Sequence, residues 1–420
     1  MKALMLGWEF PPHVLGGLAT ASYGLIKGMS LQGDMDITLV LPKPWGDEDQ
    51  SFLKIVAANK VPIVWQDPDK NYLEQELEGR MSVEEYYHLR NCICEDNHYI
   101  GTNGIGSVGF SGRYPDNLLE EIRNYVAVAG VVARSQEWDI IHAHDWLTYN
   151  AGVKAKQLTG KPLVIHVHAT DFDRSRGNVN PTVYSIEKWG MDMADHIMAV
   201  SEMTRQTVIN KYHIDPRKVS TVHNAVTPLS DELVNLPNQN HTGNKIVTFL
   251  GRITMQKGPE FFVQAAKLVL EKTPNVKFVM AGSGDKMAEM VDLVAAYGIA
   301  DRFHFTGFLK GKQVYEMLKS SDLYIMPSVS EPFGISPLEA MQCGVPTIVS
   351  KQSGCAEILN HAIKVDYWDI DAMSDAIYSV VTNEAFAAHL KDAGKKEVDE
   401  IKWEYAGQKV RRVYDLVLGK

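Results

Sequence analysis

The sequence predicts an α/β protein made of two doubly wound, parallel-sheet domains facing one another across a cleft. Three observations lead to this fold class. Apolar runs of strand length alternate with longer amphipathic runs along almost the whole chain, the order that gives parallel strands joined by helical crossovers. The length of 420 residues exceeds what one hydrophobic core organises, so two domains are expected. Between the two series of runs, Asn235-Leu-Pro-Asn-Gln-Asn-His-Thr-Gly-Asn244 turns polar and concentrates Asn, Pro and Gly, the composition of a linker. These features divide the chain into residues 1–235, residues 236–402 and a closing segment, 403–420.

In the first domain, strands are expected at Ala3–Leu6, Ile37–Leu41, Ile140–Ala143, Leu163–His168, His196–Val200 and Val219–His223. Between Gly46 and Pro115, charges, tyrosines and glycines are dense and the periodicity weakens, which points to an insertion. After the linker the strand pattern restarts at Lys245–Gly251 and continues at Val276–Ala281, Phe303–Phe305, Leu323–Met326 and Thr347–Val349. Trp403–Leu418 has apolar positions at helical spacing and reads as an amphipathic helix.

Hydrophobic content of 45% and charged content of 22% are those of a globular protein. The net charge of -10 argues against a nucleic-acid surface, which needs a concentrated basic face. The opening apolar run is too short for a signal-peptide core, and no run is long enough to span a bilayer, so a cytoplasmic protein without a transmembrane segment is expected. Cys92, Cys94, Cys343 and Cys355 form no C-x-x-C pair, and such sparse use fits reduced thiols. Asn240-His-Thr242 matches a glycosylation sequon, which means nothing without secretion.

Glu331-Pro-Phe-Gly-Ile-Ser-Pro-Leu-Glu339 is the most informative stretch. Asp322-Leu-Tyr-Ile-Met-Pro327 precedes it as a buried strand, which puts Glu331 in the loop at the strand's C-terminal end. Ser336, Pro337 and Glu339 have the chemistry of N-cap, N1 and N3, a capping box, while Gly344 and Pro346 close the helix. A strand, a glycine turn at Gly334 and a free helix N-terminus make an anion site. With carboxylates on both flanks, the guest expected is a phosphate with hydroxyl-rich groups on either side, the layout of a nucleotide sugar. A plain capped helix would explain Glu339 but not Glu331-Pro-Phe-Gly334.

Gly251-Arg-Ile-Thr-Met-Gln-Lys-Gly258 joins a strand to a helix, so Arg252 and Lys257 project where open α/β sheets bind ligands. Cations there neutralise a departing diphosphate, although surface solvation is the commoner fate of such residues. Gly16-Gly17 before a helix lets the backbone approach a phosphate, or forms only a tight turn. His142-Ala-His-Asp-Trp146 and His166-Val-His-Ala-Thr170 each end a strand, with the paired histidines on one face. Zinc is one reading of that density, but no H-E-x-x-H spacing occurs and no metal is expected. Asp171-Phe-Asp173 looks like a D-x-D metal motif and reads instead as a structural or acceptor loop. Gly104-Ile-Gly-Ser-Val-Gly109 satisfies G-x-G-x-x-G without a strand before it or a helix after it, so it fails as a dinucleotide fingerprint. Gly282-Ser-Gly284 follows a strand and fits either a nucleotide approach or a turn.

Together these segments resemble the retaining glycosyltransferase family four and the related bacterial and archaeal glycogen and starch synthases. The E-x7-E signature corresponds to Glu331 and Glu339, G-R-x4-K-G to Arg252 and Lys257, and H-x-H-D-W to His142 through Trp146. The resemblance implies a GT-B fold whose C-terminal helix crosses back toward the N-terminal domain. It implies that Arg252 and Lys257 hold donor phosphates, that Glu339 binds ribose, and that Glu331 and His168 contact the donor sugar. The backbones of Gly334, Ile335, Gly16 and Gly17 would face the diphosphate or sugar, with His144, Asp145 and Trp146 on the acceptor side. The K-x-G-G-L of glycogen synthases has Val14 at its Lys position here, a departure that bears on ADP-glucose specificity.

The function implied is metal-independent, retaining transfer of a hexose, glucose foremost, from a nucleotide sugar such as UDP-glucose or ADP-glucose to a glycan acceptor, an α-glucan foremost. No cofactor is expected beside that donor substrate. The alternatives are a family-four transferase acting on a small phosphorylated sugar, a lipid-linked or a surface polysaccharide acceptor, a GT-B sugar-nucleotide epimerase, and a silent nucleotide-sugar-binding subunit.

Overall fold

The computed structural model describes residues 1–14, 16–64, 105–237, 240 and 243–420. The first half contributes β1 (Lys2–Leu6), β2 (Asp36–Leu41), β3 (Lys54–Ala57), β4 (Ile63–Val64), β5 (Ile105–Gly106), β6 (Ile140–His144), β7 (Leu163–Val167), β8 (His196–Ala199) and β9 (Val219–Thr221). The second contributes β10 (Lys245–Leu250), β11 (Val276–Ala281), β12 (Phe303–Gly307), β13 (Leu323–Met326), β14 (Thr347–Ser350) and β15 (Ile363–Val365). Most are short runs of aliphatic residues, as strands covered by helices on both faces require.

Two parallel sheets result, ordered β3-β2-β1-β6-β7-β8-β9 and β12-β11-β10-β13-β14-β15, beside a small antiparallel β4-β5 pair. Ala3 lies between Ile37 and Ile140, and Val247 between Phe278 and Leu323. In both sheets the winding reverses beside the first strand, at β1/β6 and at β10/β13, so each half has a switch point where its loops diverge. The GT-B fold expected from the sequence is the fold observed.

β3 and β15 were not expected, because four and three residues are too few for a periodic signal. β3 and β4 lie within the Gly46–Pro115 stretch, whose residues 65–104, with Cys92 and Cys94, fall outside the described residues. Of the G-x-G-x-x-G run, Gly104 is also outside them, and Ile105–Gly106 pairs antiparallel with Ile63–Val64 rather than leading into a helix.

The helix Trp403–Val417 lies against the helix Gly17–Ser30 of the N-terminal half. Trp403, Val410 and Tyr414 are buried in one cluster with Met5, Leu25, Val164 and Met198. A Cβ on Gly28 would fall 2.1 Å from the Trp403 carbonyl oxygen, and one on Gly407 2.5 Å from that of Gly28, so only glycine permits this approach. Contacts also bridge the two sheets' loops. Glu357 accepts the amide hydrogens of Glu202 at 2.8 Å and Met203 at 2.7 Å, capping the helix Glu202–Tyr212, and pairs with His223 at 2.8 Å. Among the described residues, no helix is long and apolar enough to cross a membrane.

Candidate active site

Arg252 and Lys257 leave the carboxyl end of β10 on a loop locked to its neighbour. The Ile253 amide donates to the Ser283 carbonyl at 2.9 Å, and that of Lys286 to Ile253 at 3.0 Å. A Cβ on Gly282 would lie 1.8 Å from the Gly251 carbonyl oxygen. Gly282-Ser-Gly284 therefore supports the cationic loop through close backbone approach. Arg252 is exposed, and its guanidinium reaches Gln256 at 3.4 Å. Lys257 is ion-paired with Glu331, their side chains 20% and 10% exposed.

The backbone of Glu331 is pinned. Its amide donates to the Gln352 carbonyl and its carbonyl accepts from Gly354, both at 2.9 Å. Gly334 then turns the chain at φ +93, a left-handed conformation that favours glycine. That turn already puts Ile335 in the helical region, so the helix runs Ser336–Gln342 with Ile335 as its N-cap. The expected capping box is corrected accordingly. Ser336 becomes the first helical residue and its hydroxyl pairs with the Tyr324 hydroxyl at 2.9 Å. Glu339 meets the Tyr315 hydroxyl instead of reaching back to the cap. Burial pushes the Glu339 carboxyl up to about 7, with that hydrogen bond opposing.

In the N-terminal half, His168 directly follows β7. Its amide donates to Asp145 Oδ1 at 2.9 Å, and the Ala169 amide joins it at 3.2 Å. Asp145 Oδ2 takes Arg174 at 3.1 Å. Asp145 itself stands at φ +61, ψ 167, a costly conformation for a residue with a Cβ, held by these contacts. His168 Nε2 shares a hydrogen bond with His144 Nδ1 at 3.0 Å, while its Nδ1 has no protein partner among the described residues. Burial holds the imidazole at about 3, so it is neutral at physiological pH.

Two contacts bring the halves of the site together. Ser330, next to Glu331, donates to Asp173 Oδ1 at 2.6 Å. Arg176 donates to the Met255 carbonyl and pairs with Glu260, both at 2.7 Å. The loop that begins at His168 is thus fastened to the two loops that carry Lys257 and Glu331. In the D-x-D run, Asp173 Oδ2 caps Thr170 at 2.8 Å and Asp171 accepts the Asn180 amide at 2.6 Å, so both carboxylates work in local structure.

His142, His144 and His166 are buried, and their ring nitrogens lie within 4.8 Å of one another. The rings are stacked, with planes 10–26° apart. A nitrogen lone pair lies in its ring plane, so near-parallel rings do not converge on one ion. The set fits a metal poorly.

His144 and Asp145 are 1% and 5% exposed, and Trp146 packs against the core of the N-terminal half. His144 hydrogen-bonds the His168 ring and Asp145 accepts the His168 amide, so both brace the start of the His168 loop. Gly16 is extended and Gly17 opens the helix Gly17–Ser30, with nothing within 4 Å of a Cβ placed on Gly17. Val14, where glycogen synthases carry Lys, is 37% exposed. Sequence reasoning missed Ser330 and Arg176, whose partners lie 79 to 157 positions away.

Residues 94–228 match the family model described as Glycosyltransferase Family 4, and residues 235–397 match Glycosyl transferases group 1, so the two matches span most of the chain. The chain belongs to the family 4 glycosyltransferases. As a member, it is 26% identical over its full length to an uncharacterized glycosyltransferase of Methanocaldococcus jannaschii, covering 99% of that protein. It is 21% identical to a Mycobacterium tuberculosis glycogen synthase over 99% of this chain and 94% of that one. The transferase also shares its fold with Anabaena Alr3699/HepE, solved in complex with UDP-glucose, at TM-score 0.65 and 18% identity, covering 98% and 99% of the two chains.

Proposed function

We propose that this transferase moves a hexose, glucose foremost, from a nucleoside diphosphate sugar to a glycan acceptor with retention of configuration. The reading rests on the Lys257–Glu331 ion pair, fastened through Ser330 and Arg176 to the loop that begins at His168. It is supported by likeness to a glycogen synthase and to a structure holding UDP-glucose.

Arg252 and Lys257 take the diphosphate and neutralise it as its bond to the anomeric carbon breaks. Glu339 accepts from the ribose hydroxyls. Glu331 and neutral His168 orient the sugar, and the Gly16 and Gly17 backbone with Gly334 and Ile335 bounds the phosphate and sugar. The acceptor hydroxyl attacks the face the diphosphate leaves, and the departing phosphate oxygen takes its proton. With two cations where charge develops, the step needs no divalent metal or other cofactor. Asp145 and Arg174 fix the His168 loop, and His144 fixes its ring. We also propose the division at 235/236 and 402/403, with residues 403–420 closing onto the N-terminal domain, and a cytoplasmic location.

The test incubates the protein with UDP-glucose or ADP-glucose in excess EDTA, with and without maltoheptaose, following nucleotide release and chain extension. Acceptor-dependent release and an α-linked product are expected. Donor altered without release would mean an epimerase instead, and failure to bind either nucleotide would end the proposal.

A further inference from the structure

The helix Trp403–Val417 carries one buried polar contact into the N-terminal sheet. Tyr414, close to its end, has no exposed surface, and its hydroxyl shares a hydrogen bond with His142 Nδ1 at 2.7 Å, across 272 positions. The two rings meet edge to face, their centres 5.8 Å apart.

From that hydroxyl a column of four imidazoles runs to the candidate active site. His142 stacks on His144 with ring centres 4.2 Å apart, and His166 stacks on His168 at 4.6 Å. Between these pairs, His144 and His166 lie 5.6 Å apart with planes 10° from parallel. The four rings are 0% to 9% exposed. Burial pushes each of them down far enough to be neutral at physiological pH, so each has one N–H and one lone pair to satisfy.

Two hydrogen bonds serve all four rings. One is that of Tyr414 with His142 Nδ1; the other joins His144 Nδ1 to His168 Nε2 at 3.0 Å. The second nitrogen of His142, His144 and His168, and both nitrogens of His166, have no partner among the described residues. Rings with so few polar partners keep their orientation through their neighbours. At 4.2 Å between centres, the close end of aromatic contact, His142 cannot turn about its Cβ–Cγ bond without displacing His144. His144 in turn holds the ring of His168.

We propose that Tyr414 is a positioning residue for His168: its hydroxyl fixes the first ring of the histidine column, and ring contact passes that orientation through His144 to His168. The seating of the closing helix is thereby felt at the site, since it decides whether Tyr414 reaches His142. The inference rests on the transferase reading above and deepens it. Tyr414 acts only through His142 and His144.

The test compares Tyr414→Phe, His144→Phe and the double variant with the wild type. It reads turnover of UDP-glucose or ADP-glucose with maltoheptaose, UDP affinity by calorimetry, and the ring-nitrogen NMR signals of His168. Tyr414→Phe keeps the ring and removes one hydroxyl. Its kcat should fall about threefold to tenfold, with UDP affinity within about twofold of wild type and the His168 signals moved. The double variant should have the kcat of His144→Phe alone, because the route from Tyr414 is already cut. A hydroxyl that serves only the fold would instead multiply its loss with that of His144→Phe. The variant Tyr414→Phe, His142→Phe removes both hydrogen-bonding partners together and keeps the test open should Tyr414→Phe alone fold poorly; the same loss of kcat is expected of it. Unchanged kcat, unmoved His168 signals or losses that multiply would each overturn the role while leaving the transferase intact. A wild type that turns over neither donor removes the transferase reading and this role with it, whatever the His168 signals do.

Discussion

Lys257 and Glu331, two residues to which the sequence assigned different parts of one ligand, are ion-paired with each other at the carboxyl ends of β10 and β13. Under the proposed function, each holds the other until a donor offers Lys257 a more highly charged partner and Glu331 a set of hydroxyls. Binding then exchanges one compensated arrangement for another, and neither charge is left buried alone.

Lys257→Met should therefore affect stability as well as chemistry. It strands a carboxylate that is 10% exposed, at an expected loss of about 2–4 kcal/mol. The kcat/KM should fall about 100-fold or more with the phosphate's counter-charge gone. The double variant Lys257→Met, Glu331→Gln should recover most of the melting temperature and none of the turnover. Thermal denaturation beside steady-state kinetics decides this; a double variant as unstable as the single one rejects the compensation argument.

Glu339 sets a pH dependence on donor binding. Its carboxyl, pushed up to about 7 by burial, accepts ribose hydrogen bonds better when ionised than when protonated. Raising the pH through 7 ionises the group, so UDP affinity should rise several-fold between pH 6 and pH 8. Glu339→Gln should bind weakly and lose that part of the slope. Calorimetric titrations of both proteins across the range check the sign, and parallel slopes would remove Glu339 from the ribose site.

His144→Phe tests the support behind His168. Phenylalanine preserves the ring stack but not the 3.0 Å hydrogen bond that couples the tautomer of His168 to that of His144. The expected result is a drop in kcat of about tenfold, little change in UDP affinity, and mixed His168 tautomers in nitrogen-detected NMR. A single tautomer with unchanged kcat would assign His144 to packing alone.

Gly28→Ala addresses the closing helix. Alanine in a helix interior ordinarily gains up to about 1 kcal/mol over glycine. Here its Cβ would meet the Trp403 carbonyl at 2.1 Å, and the helices must part. A loss of about 1–3 kcal/mol is expected, read as a lower melting temperature. A melting temperature at or above wild type would mean that the two helices do not need this closeness.

The alternation of short aliphatic runs with amphipathic ones determined the two parallel sheets, because strand and helix periods are properties of neighbouring residues. The same locality made Arg252, Lys257, Glu331 and Glu339 stand out as candidates, each within a loop or turn whose chemistry lies inside a few positions. Only the tertiary structure decided that Lys257 and Glu331 hold one another across 74 positions, that His144 hydrogen-bonds the His168 ring, and that Tyr414 reaches His142 from 272 positions away. It also moved the start of the helix at Ser336, since the Gly334 turn and the Tyr324 hydroxyl outweigh the local capping preference. Such pairings depend on which strand ends the sheet order brings together, and that order is set by burial of both sheets at once, not by the residues on either side of any one loop.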